Sequence, residues 1–479
     1  MDDDDTLKDP DDIPILEREG GVDEFEEACE KPVQSKGYTW DELVDRLLRQ
    51  TMSRVDLDFA TIFLCFFRKF APPRDLLNSI LDRFDKANSD AIVLHRISAQ
   101  LRYCNILHQW VSSHPGDFAH PKTRQRLTNF LNVISSNRSL ALLAGEVRQT
   151  LAQGAEDEDS VWAISDSDTE RRDSLRSFLD THSLSQDSLS TVDGTSEALR
   201  VPGIESHGRR ASEALTLSTV NSFVSQPPSR GDTSGTIGPA PAWRDQYDVF
   251  MAIPDKEIAI ELTRIDWSEF SQIKPRDLVR HVSIPADQKE KYPSLKHVNR
   301  MISHFNHVAY WVASVILEKP KPKHRARALE KFMSIAWTLR HMNNYNALGA
   351  VIAGINGTAV HRLSLTRELV NQHTQKRFMR LELLMGTHMS HAKYRLAWDN
   401  TSSERVPFLP LHRRDLVSAE EGNRTFLQDG DKINWNKFQV MGDVLMVIVK
   451  SQATPYRDLC RNAVVDKLIV EAVSSMNDD

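Results

Sequence analysis

Apolar residues recur at three- and four-residue spacing over two long parts of the chain. The first part runs from residue 38 to about 151, and the second from 243 to about 476. This period places apolar side chains on one face of a helix, so both parts are predicted to be helical. Only residues 444–449 have the β-branched content that would suit a strand as well as a helix. The predicted fold class is therefore all-α.

A capping motif and the apolar periodicity predict the positions of individual helices. Thr39 and Glu42 have the spacing of a capping box, which predicts a helix start at the front of the first part. Apolar periodicity predicts helices in the first part near residues 92–110 and 118–130. In the second part it predicts helices over residues 257–265, 295–317, 325–342, 345–354 and 363–391.

The composition changes between the two helical parts. Residues 151–240 contain 17 serines and 8 threonines but only three aromatic residues. Such a stretch buries too little apolar surface to offset the entropy lost on ordering, which predicts disorder. The predicted organisation is an acidic disordered tail (1–36), an N-terminal helical domain (37–150), a disordered Ser/Thr-rich linker (151–242) and a larger helical domain (243–479).

Charge and hydropathy narrow the class of partner. The formal net charge of −7 argues against general binding to nucleic acid or anionic lipid. The acidic N-terminus lacks the basic region of a signal peptide. The longest apolar runs, 347–355 and 444–449, are much shorter than the ~20 residues of a membrane span. These features predict a cytoplasmic protein.

Cysteine and histidine spacing does not indicate a metal site. The four cysteines lie far apart without a CxxC pair, and reduced side chains are expected: Cys29, Cys65, Cys104 and Cys460. Two histidine pairs, His304/His307 and His388/His391, lack a third ligand at a suitable spacing. Histidines on helix surfaces are predicted instead, with no metal and no cofactor.

An asparagine-rich cluster lies between two predicted helices. It comprises Asn343, Asn344 and Asn346, with Tyr345 among them. Asparagine is a poor residue for a helix interior, so the cluster needs a reason. One reason is helix capping and a turn at the junction of two helices. The alternative is a polar patch that hydrogen-bonds the backbone of a partner, and local evidence leaves both open.

Several motifs follow one another towards the C-terminus. They are VPFLPL at 406–411, EEGN at 420–423, KINW at 432–435, and then Gln452 with Pro455–Tyr456. Their order resembles the catalytic domain of Ras guanine nucleotide exchange factors. The resemblance extends upstream through the Asn343–Asn346 cluster and covers residues 243–476. The N-terminal part, with its segments 58–77 and 110–118, resembles the Ras exchanger motif domain, which commonly precedes the catalytic domain and braces it.

The resemblance implies a function. Exchange factors of this family promote GDP release and GTP loading on a Ras- or Rap-like small GTPase, without covalent chemistry, by wedging a helical hairpin into its switch region. The exchanger and the nucleotide then weaken each other's binding by the same factor. A catalytically weak relative that serves as a GTPase-binding scaffold is the alternative. Membrane contact is expected only through the lipidated GTPase, with peripheral recruitment to the plasma membrane.

The resemblance also implies site residues. It places the first hairpin helix from about Asn434 to Lys450. The predicted GTPase-binding residues on the hairpin are Trp435, Lys437, Val440, Asp443, Val444 and Val447. Those of the domain core are Asn306, Asn343, Asn344 and Tyr345. The best-known Ras activators carry a glutamate on this helix, and counting back from Pro455–Tyr456 places that position at Val447.

Two basic patterns in the predicted linker are typical of kinase sites. They are Arg171-Arg172-Asp173-Ser174 and Arg209-Arg210-Ala211-Ser212. A basophilic kinase is therefore a possible partner, with Ser174 and Ser212 as its sites. A phosphate adds about −1.5 to −2 charges, which would alter how the two folded parts dock.

Overall fold

Helices make up the protein. The computed structural model describes residues 37–49, 53–89, 92–183, 246–427, 430 and 432–474. Within these ranges no strand forms, and isolated β-bridges such as Tyr38–Ile433 are the only strand-like pairings. The all-α prediction is therefore confirmed. The predicted tail (1–36), most of the predicted linker, Cys29 and Ser212 lie outside the described residues.

The N-terminal domain contains seven described α-helices. They are α1 (Trp40–Leu47), α2 (Arg54–Phe66), α3 (Pro73–Asn88), α4 (Val93–Ser113), α5 (Pro121–Ile134), α6 (Ala141–Ala152) and α7 (Asp166–Ser183). The predicted capping box is present: the Thr39 hydroxyl accepts a hydrogen bond from the backbone N–H of Glu42, whose carboxylate accepts one from the N–H of Thr39. Proline begins α3 and α5, where its missing N–H costs no hydrogen bond.

The larger domain contains thirteen described α-helices. They are α8 (Gln246–Ala252), α9 (Asp255–Phe270), α10 (Pro275–Ser283), α11 (Lys296–Glu318), α12 (Pro322–His341), α13 (Tyr345–Asn356), α14 (Thr358–His361), α15 (Ser364–Arg367), α16 (Gln372–Met385), α17 (His388–Asp399), α18 (Leu409–Gly422), α19 (Trp435–Gln452) and α20 (Ala463–Ser474). Helices α9, α11, α12 and α13 pack together around its core. The ambiguous stretch 444–449 is helical, inside α19.

The stretch 363–391 is helical as predicted, but it is not one continuous helix. The structure breaks this stretch into α15, α16 and the start of α17. Met389, Ser390 and His391 have φ values of 46°, 55° and 62°, in the left-handed region. His391 is buried rather than on a helix surface, and its Nδ1 donates to the carbonyl of Met385. An apolar period alone does not show where such a backbone reversal falls.

The predicted linker starts too early. Residues 151–174 fold onto the N-terminal domain, and their buried side chains include Leu151, Asp159, Ser165 and Asp166. Asp166 begins α7, and its carboxylate accepts hydrogen bonds from the backbone N–H of Arg74 and the hydroxyl of Thr123. The composition of this stretch misled the prediction because its acidic residues have partners elsewhere in the chain.

A buried cluster of ions joins this segment to both domains. Arg68, which is fully buried, pairs with Asp157 at 2.7 Å and with Asp117 at 3.1 Å. Arg276 of the larger domain pairs with Asp117 at 2.7 Å and with Asp159 at 3.1 Å. Burial alone would raise the pKa of Asp117, but Arg276 and Arg68 hold it below its usual value. Leaving any of these charges unpaired would be costly.

Helix α2 packs closely on α19 of the larger domain. A Cβ atom built on Gly442 would lie 2.5 to 2.6 Å from three side-chain carbons of Ile62. Only a glycine lets the two helices approach to this distance. The N-terminal domain therefore packs directly against α19 through α2.

This close approach predicts the effect of Gly442→Ala. Alanine normally gains about 1 kcal/mol over glycine inside a helix. Here the added methyl must push Ile62 away, which costs about 1–3 kcal/mol. We expect a net loss of stability of about 1 kcal/mol and a melting temperature a few degrees lower, measured by thermal unfolding of the full chain.

The matched control is Gly145→Ala in α6, where an added Cβ meets no atom within 4 Å. This variant should be as stable as the native chain or more stable. Equal gains in both variants would show that Gly442 does not set the distance between α2 and α19.

Candidate functional site

Helices α18 and α19 form a hairpin. They follow one another, contact each other, and are joined by residues 423–434. Lys437 near the start of α19 donates to the backbone carbonyl of Glu420 near the end of α18, at 3.0 Å. The sequence prediction takes α19 as the first helix of the exchange hairpin. In the structure α18, which ends within the EEGN motif at 420–423, precedes α19 and contacts it. Which of the two helices meets a GTPase stays a prediction.

The start of α19 is buried under the N-terminal domain. Trp435 is 3% exposed, and its ring centroid lies 4.8 Å from that of Phe59. The ring of Phe438 lies 5.5 Å from that of Phe66 and 5.3 Å from that of Phe70. In this arrangement Trp435 has no surface to offer to a partner. The sequence-based assignment of Trp435 as a GTPase contact is therefore replaced by a structural role between the domains.

Lys437 has a structural role as well. It is 4% exposed, and its ammonium lies 3.4 Å from the Glu420 carboxylate. Burial lowers the pKa of Lys437, and Glu420 opposes that shift. Lys69 of the N-terminal domain pairs with the same carboxylate at 2.9 Å. One glutamate thus ties both hairpin helices to the N-terminal domain, so Lys437 is not a free cation for a partner.

The outer face of α19 carries the remaining predicted hairpin residues. Val440 is 48% exposed, and Asp443 is exposed and accepts a hydrogen bond from the amide of Gln439. Val444 and Val447 are half-buried. These four residues stay predictions as GTPase contacts. Their spacing places Val440, Asp443 and Val447 on one helix face.

Helix α18 presents a carboxylate that sequence reasoning did not assign to the site. Glu421 is exposed and forms no ion pair with any described residue. Its neighbour Glu420 is occupied by Lys69 and Lys437, and Asp415 is paired with Arg395 at 2.6 Å. Glu421 is therefore the acidic group of α18 that remains available to a partner.

A cleft lies at the base of the hairpin, between α11, α13 and the start of α18. Asn306 is exposed there, and its amide has no hydrogen-bond partner among the described residues. The cleft is lined by Met301, Ile302, Phe305, Asn306, Asn346, Leu409, Pro410 and Arg413. The cleft is small, about 20 Å³, so its lining marks a patch of surface and not a pocket that could enclose a ligand. Because Asn306 is exposed, it stays a predicted GTPase contact.

Asn343 shapes the chain between α12 and α13. It has a φ of 54°, and its side-chain amide donates to the Ser403 hydroxyl and to the carbonyl of Glu404. Its backbone carbonyl accepts from the N–H of Val406 at 3.0 Å. Asn343 thus connects this turn to the segment that leads into the hairpin. It is half-buried, and its role as a GTPase contact stays a prediction.

Asn344 and Tyr345 are not on the surface. Asn344 is fully buried and caps α13 by accepting from the N–H of Ala347. Its amide also donates to Thr263 and to Asp266, and the Asn346 amide donates to the other Asp266 oxygen. Tyr345 is fully buried, and its ring centroid lies 5.1 Å from that of Tyr394.

For Asn344 the capping interpretation is therefore the one that the geometry supports. The GTPase-contact assignments of Asn344 and Tyr345 are corrected, because buried and hydrogen-bonded or packed side chains cannot meet a partner. A capping position at a helix junction was readable from the sequence, but the buried carboxylate that binds the cluster lies 78 residues away from Asn344.

The described residues contain no group of three or more His, Cys, Asp or Glu side chains placed to hold a metal ion. Cys65 and Cys104 are buried free thiols in this part of the chain, and Cys460 is an exposed one. Burial raises the pKa of Cys65 to about 12, which makes its thiol unreactive.

Two asparagine variants distinguish the structural role of Asn344 from the predicted contact role of Asn306. Asn344→Ala removes the cap of α13 and leaves Asp266 short of a donor, so we expect a loss of about 2–4 kcal/mol in the free energy of unfolding. Asn306→Ala removes an exposed side chain and should change stability by less than about 0.5 kcal/mol. Urea denaturation of both variants measures this. Unchanged stability in Asn344→Ala would contradict the structural role.

The carboxyl of Asp266 gives a pH-dependent prediction. Burial raises its pKa to about 7, although the amides of Asn344 and Asn346 oppose the shift; the ordinary value is about 3.9. The folded state binds this proton more tightly than the unfolded state. The stability that Asp266 contributes is therefore complete below about pH 4 and is lost as the pH rises to about 7.

We expect the difference in unfolding free energy between the native chain and Asp266→Asn to fall between about pH 4 and 7. Subtracting the variant removes the contributions of histidines that titrate in the same range. Urea denaturation at several pH values measures the difference. A difference that is independent of pH would contradict the buried, proton-binding carboxyl.

Comparison with known proteins agrees with this architecture. The RasGEF domain model matches residues 257–439, and the RasGEF N-terminal motif matches residues 34–130. Ras guanine nucleotide exchange factor J of Dictyostelium discoideum is 31% identical over 250 residues, which are 50% of this chain and 30% of that protein. Ras guanine nucleotide exchange factor K of the same organism is 28% identical over 474 residues, 88% of this chain and 29% of that protein.

A further relative is named for Rap and not for Ras. Rap guanine nucleotide exchange factor 3 of Homo sapiens is 32% identical over 205 residues, 43% of this chain and 22% of that protein. The chain thus spans less than a third of the length of these three relatives. The chain has a RasGEF domain after a RasGEF N-terminal motif, and it is similar to proteins named as Ras guanine nucleotide exchange factors. It therefore belongs to the family of Ras guanine nucleotide exchange factors.

Proposed function

We propose that this chain opens the nucleotide site of a Ras-like small GTPase and so promotes GDP release and GTP loading. The observation that carries the proposal is the RasGEF match over residues 257–439, which includes the cleft and α18. The hairpin has an exposed carboxylate on α18 and an exposed apolar position on α19, at Glu421 and Val440. No covalent bond is made or broken.

The proposed mechanism is coupling between two binding equilibria. The exposed surface of the hairpin, together with exposed Asn306 at its base, contacts the GTPase. The hairpin then occupies space that the loaded GTPase needs around its phosphates and Mg²⁺. Since nucleotide and exchanger weaken each other's binding equally, tight binding of the empty GTPase is what drives release.

The charge of Glu421 supports its place in this mechanism. A carboxylate brought close to the nucleotide site repels phosphate and competes for Mg²⁺ and for the GTPase lysine that binds the phosphates. Val447 and Asp443 on α19 stay predicted contacts.

The partner is proposed to be a Ras- or Rap-like GTPase. Relatives carry both names, so the choice between them rests with experiment. No helix among the described residues is long and apolar enough to cross a membrane. We propose that the chain reaches the plasma membrane peripherally, from the cytoplasm, through the lipid anchor of its GTPase.

An exchange assay tests the function. Ras- and Rap-like GTPases are loaded with a fluorescent GDP analogue, and release is followed with excess GTP and the full chain. We expect release to accelerate roughly hundred-fold or more, which corresponds to about 2.7 kcal/mol of barrier. Stable binding to the nucleotide-free GTPase without faster release would favour the scaffold alternative, and no binding would contradict both.

Surface variants of the hairpin sharpen the test. Glu421→Gln and Val440→Asp alter exposed positions, so both should keep the native melting temperature and slow release roughly ten-fold, about 1.4 kcal/mol each. The control is Leu142→Asp, at a position that is 78% exposed on α6. Native rates in both hairpin variants would remove the hairpin from the mechanism. Substitution of Trp435 is a poor test, because its burial makes loss of folding the expected outcome.

A further inference from the structure

Ser174 lies on an exposed face of α7, inside a basic sequence pattern. Arg171, Arg172, Asp173 and Ser174 are all exposed. The start of the same helix is held by Asp166, whose carboxylate accepts hydrogen bonds from Arg74 and Thr123. Ser174 is therefore both accessible to another protein and held close to the N-terminal domain.

A cavity of about 430 Å³ separates this part of α7 from α3 and α5, and Ser174 lines it. Three cationic side chains line the same cavity: Arg74, Lys122 and Arg126. Two carboxylates, Glu170 and Asp173, complete its charged lining. The cavity therefore has an excess of one positive charge when Ser174 carries no phosphate.

The three cations of the cavity differ in whether they already form ion pairs. Arg74 pairs with Asp173 at 2.7 Å, and Lys122 pairs with Glu170 at 3.1 Å. Arg126 is exposed and has no ion pair with any described residue. An anion at Ser174 could pair with Arg126, which has no other ion pair among the described residues. It could also share Arg74 and Lys122 with their present carboxylate partners.

We propose that Ser174 is a phosphorylation site whose phosphate is bound within the same chain, by the cavity of Arg74, Lys122 and Arg126. A basophilic kinase transfers the γ-phosphoryl group of ATP to the Ser174 hydroxyl oxygen. The new P–O bond replaces the bond between the β- and γ-phosphates, the hydroxyl proton passes to the kinase base, and ADP leaves. The phosphate adds about −1.5 to −2 charges and strong acceptor oxygens.

The bound phosphate has a structural consequence. Arginine and phosphate form charge-assisted, often bidentate hydrogen bonds, which are stronger than the pairs they replace. The phosphate therefore adds a further attachment of the middle of α7 to α5, beside the Glu170–Lys122 and Asp173–Arg74 pairs already present. The modification therefore changes how firmly α7 is attached to the N-terminal domain.

The first experiment tests the modification. The full chain carrying Ser212→Ala, which removes the second basic pattern, is incubated with a basophilic kinase and ATP. We expect phosphate at Ser174 by peptide mass spectrometry and none in the Ser174→Ala/Ser212→Ala chain. Phosphorylation of the native chain at Ser212 but not at Ser174, or at neither serine, would overturn the site.

The second experiment tests the receptor and does not depend on a kinase. Phosphoserine is incorporated at position 174 during synthesis, and hydrogen exchange of the α7 amides is compared with and without the phosphate. We expect exchange to slow roughly two- to five-fold with phosphate. Arg126→Gln should abolish the slowing, and Arg138→Gln, an exposed arginine outside the cavity, should retain it.

Two results would overturn the receptor. One is exchange that is unchanged or faster with phosphate. The other is equal slowing in the Arg126→Gln and Arg138→Gln chains, which would show that the phosphate acts within α7 alone. Arg126→Gln without phosphate should exchange like the native chain, because this arginine has no ion pair to lose.

Discussion

The rest of the structure depends on the packing of α2 against α19. Gly442 lets the two helices approach until Ile62 fills the space where a side chain would be. Around this point, aromatic rings of the N-terminal domain enclose Trp435 and Phe438 at the start of α19. Tightly packed interiors resist deformation, so this contact fixes α19. Helix α18 follows, because Glu420 binds Lys437 and Lys69 together.

A second constraint acts through buried charge. Arg68 and Arg276 belong to different domains and share Asp117, while Asp159 from the segment after α6 joins Arg276 and Arg280. Each ion is out of water and depends on the others, so no member can leave without exposing an unpaired charge in the interior. The cluster therefore makes one unit of the two domains and of residues 151–174. A domain that braces the hairpin has to be rigidly attached, and this cluster provides the attachment.

These constraints divide the residues of the candidate exchange site into two groups. Trp435, Lys437, Asn344 and Tyr345 hold the hairpin and the core in place. Asn306, Val440 and Glu421 are exposed and can meet a partner. In the proposed function, the buried group keeps the hairpin rigid and the exposed group is available for contact with the GTPase.

The sequence by itself determined the helical class, most helix positions, the Thr39 capping box and the order of motifs that shows the family. These properties are local: a helix period, a cap or a motif lies within a few neighbouring residues. Only the tertiary structure decided that α18 packs against α19, that Trp435 faces inward, and that residues 151–174 are folded. Each of these depends on partners far away in the chain, as Arg68 and Asp157 are separated by 89 positions. An apolar or charged residue looks the same in sequence whether its partner is a GTPase or another part of its own chain, and only packing distinguishes the two.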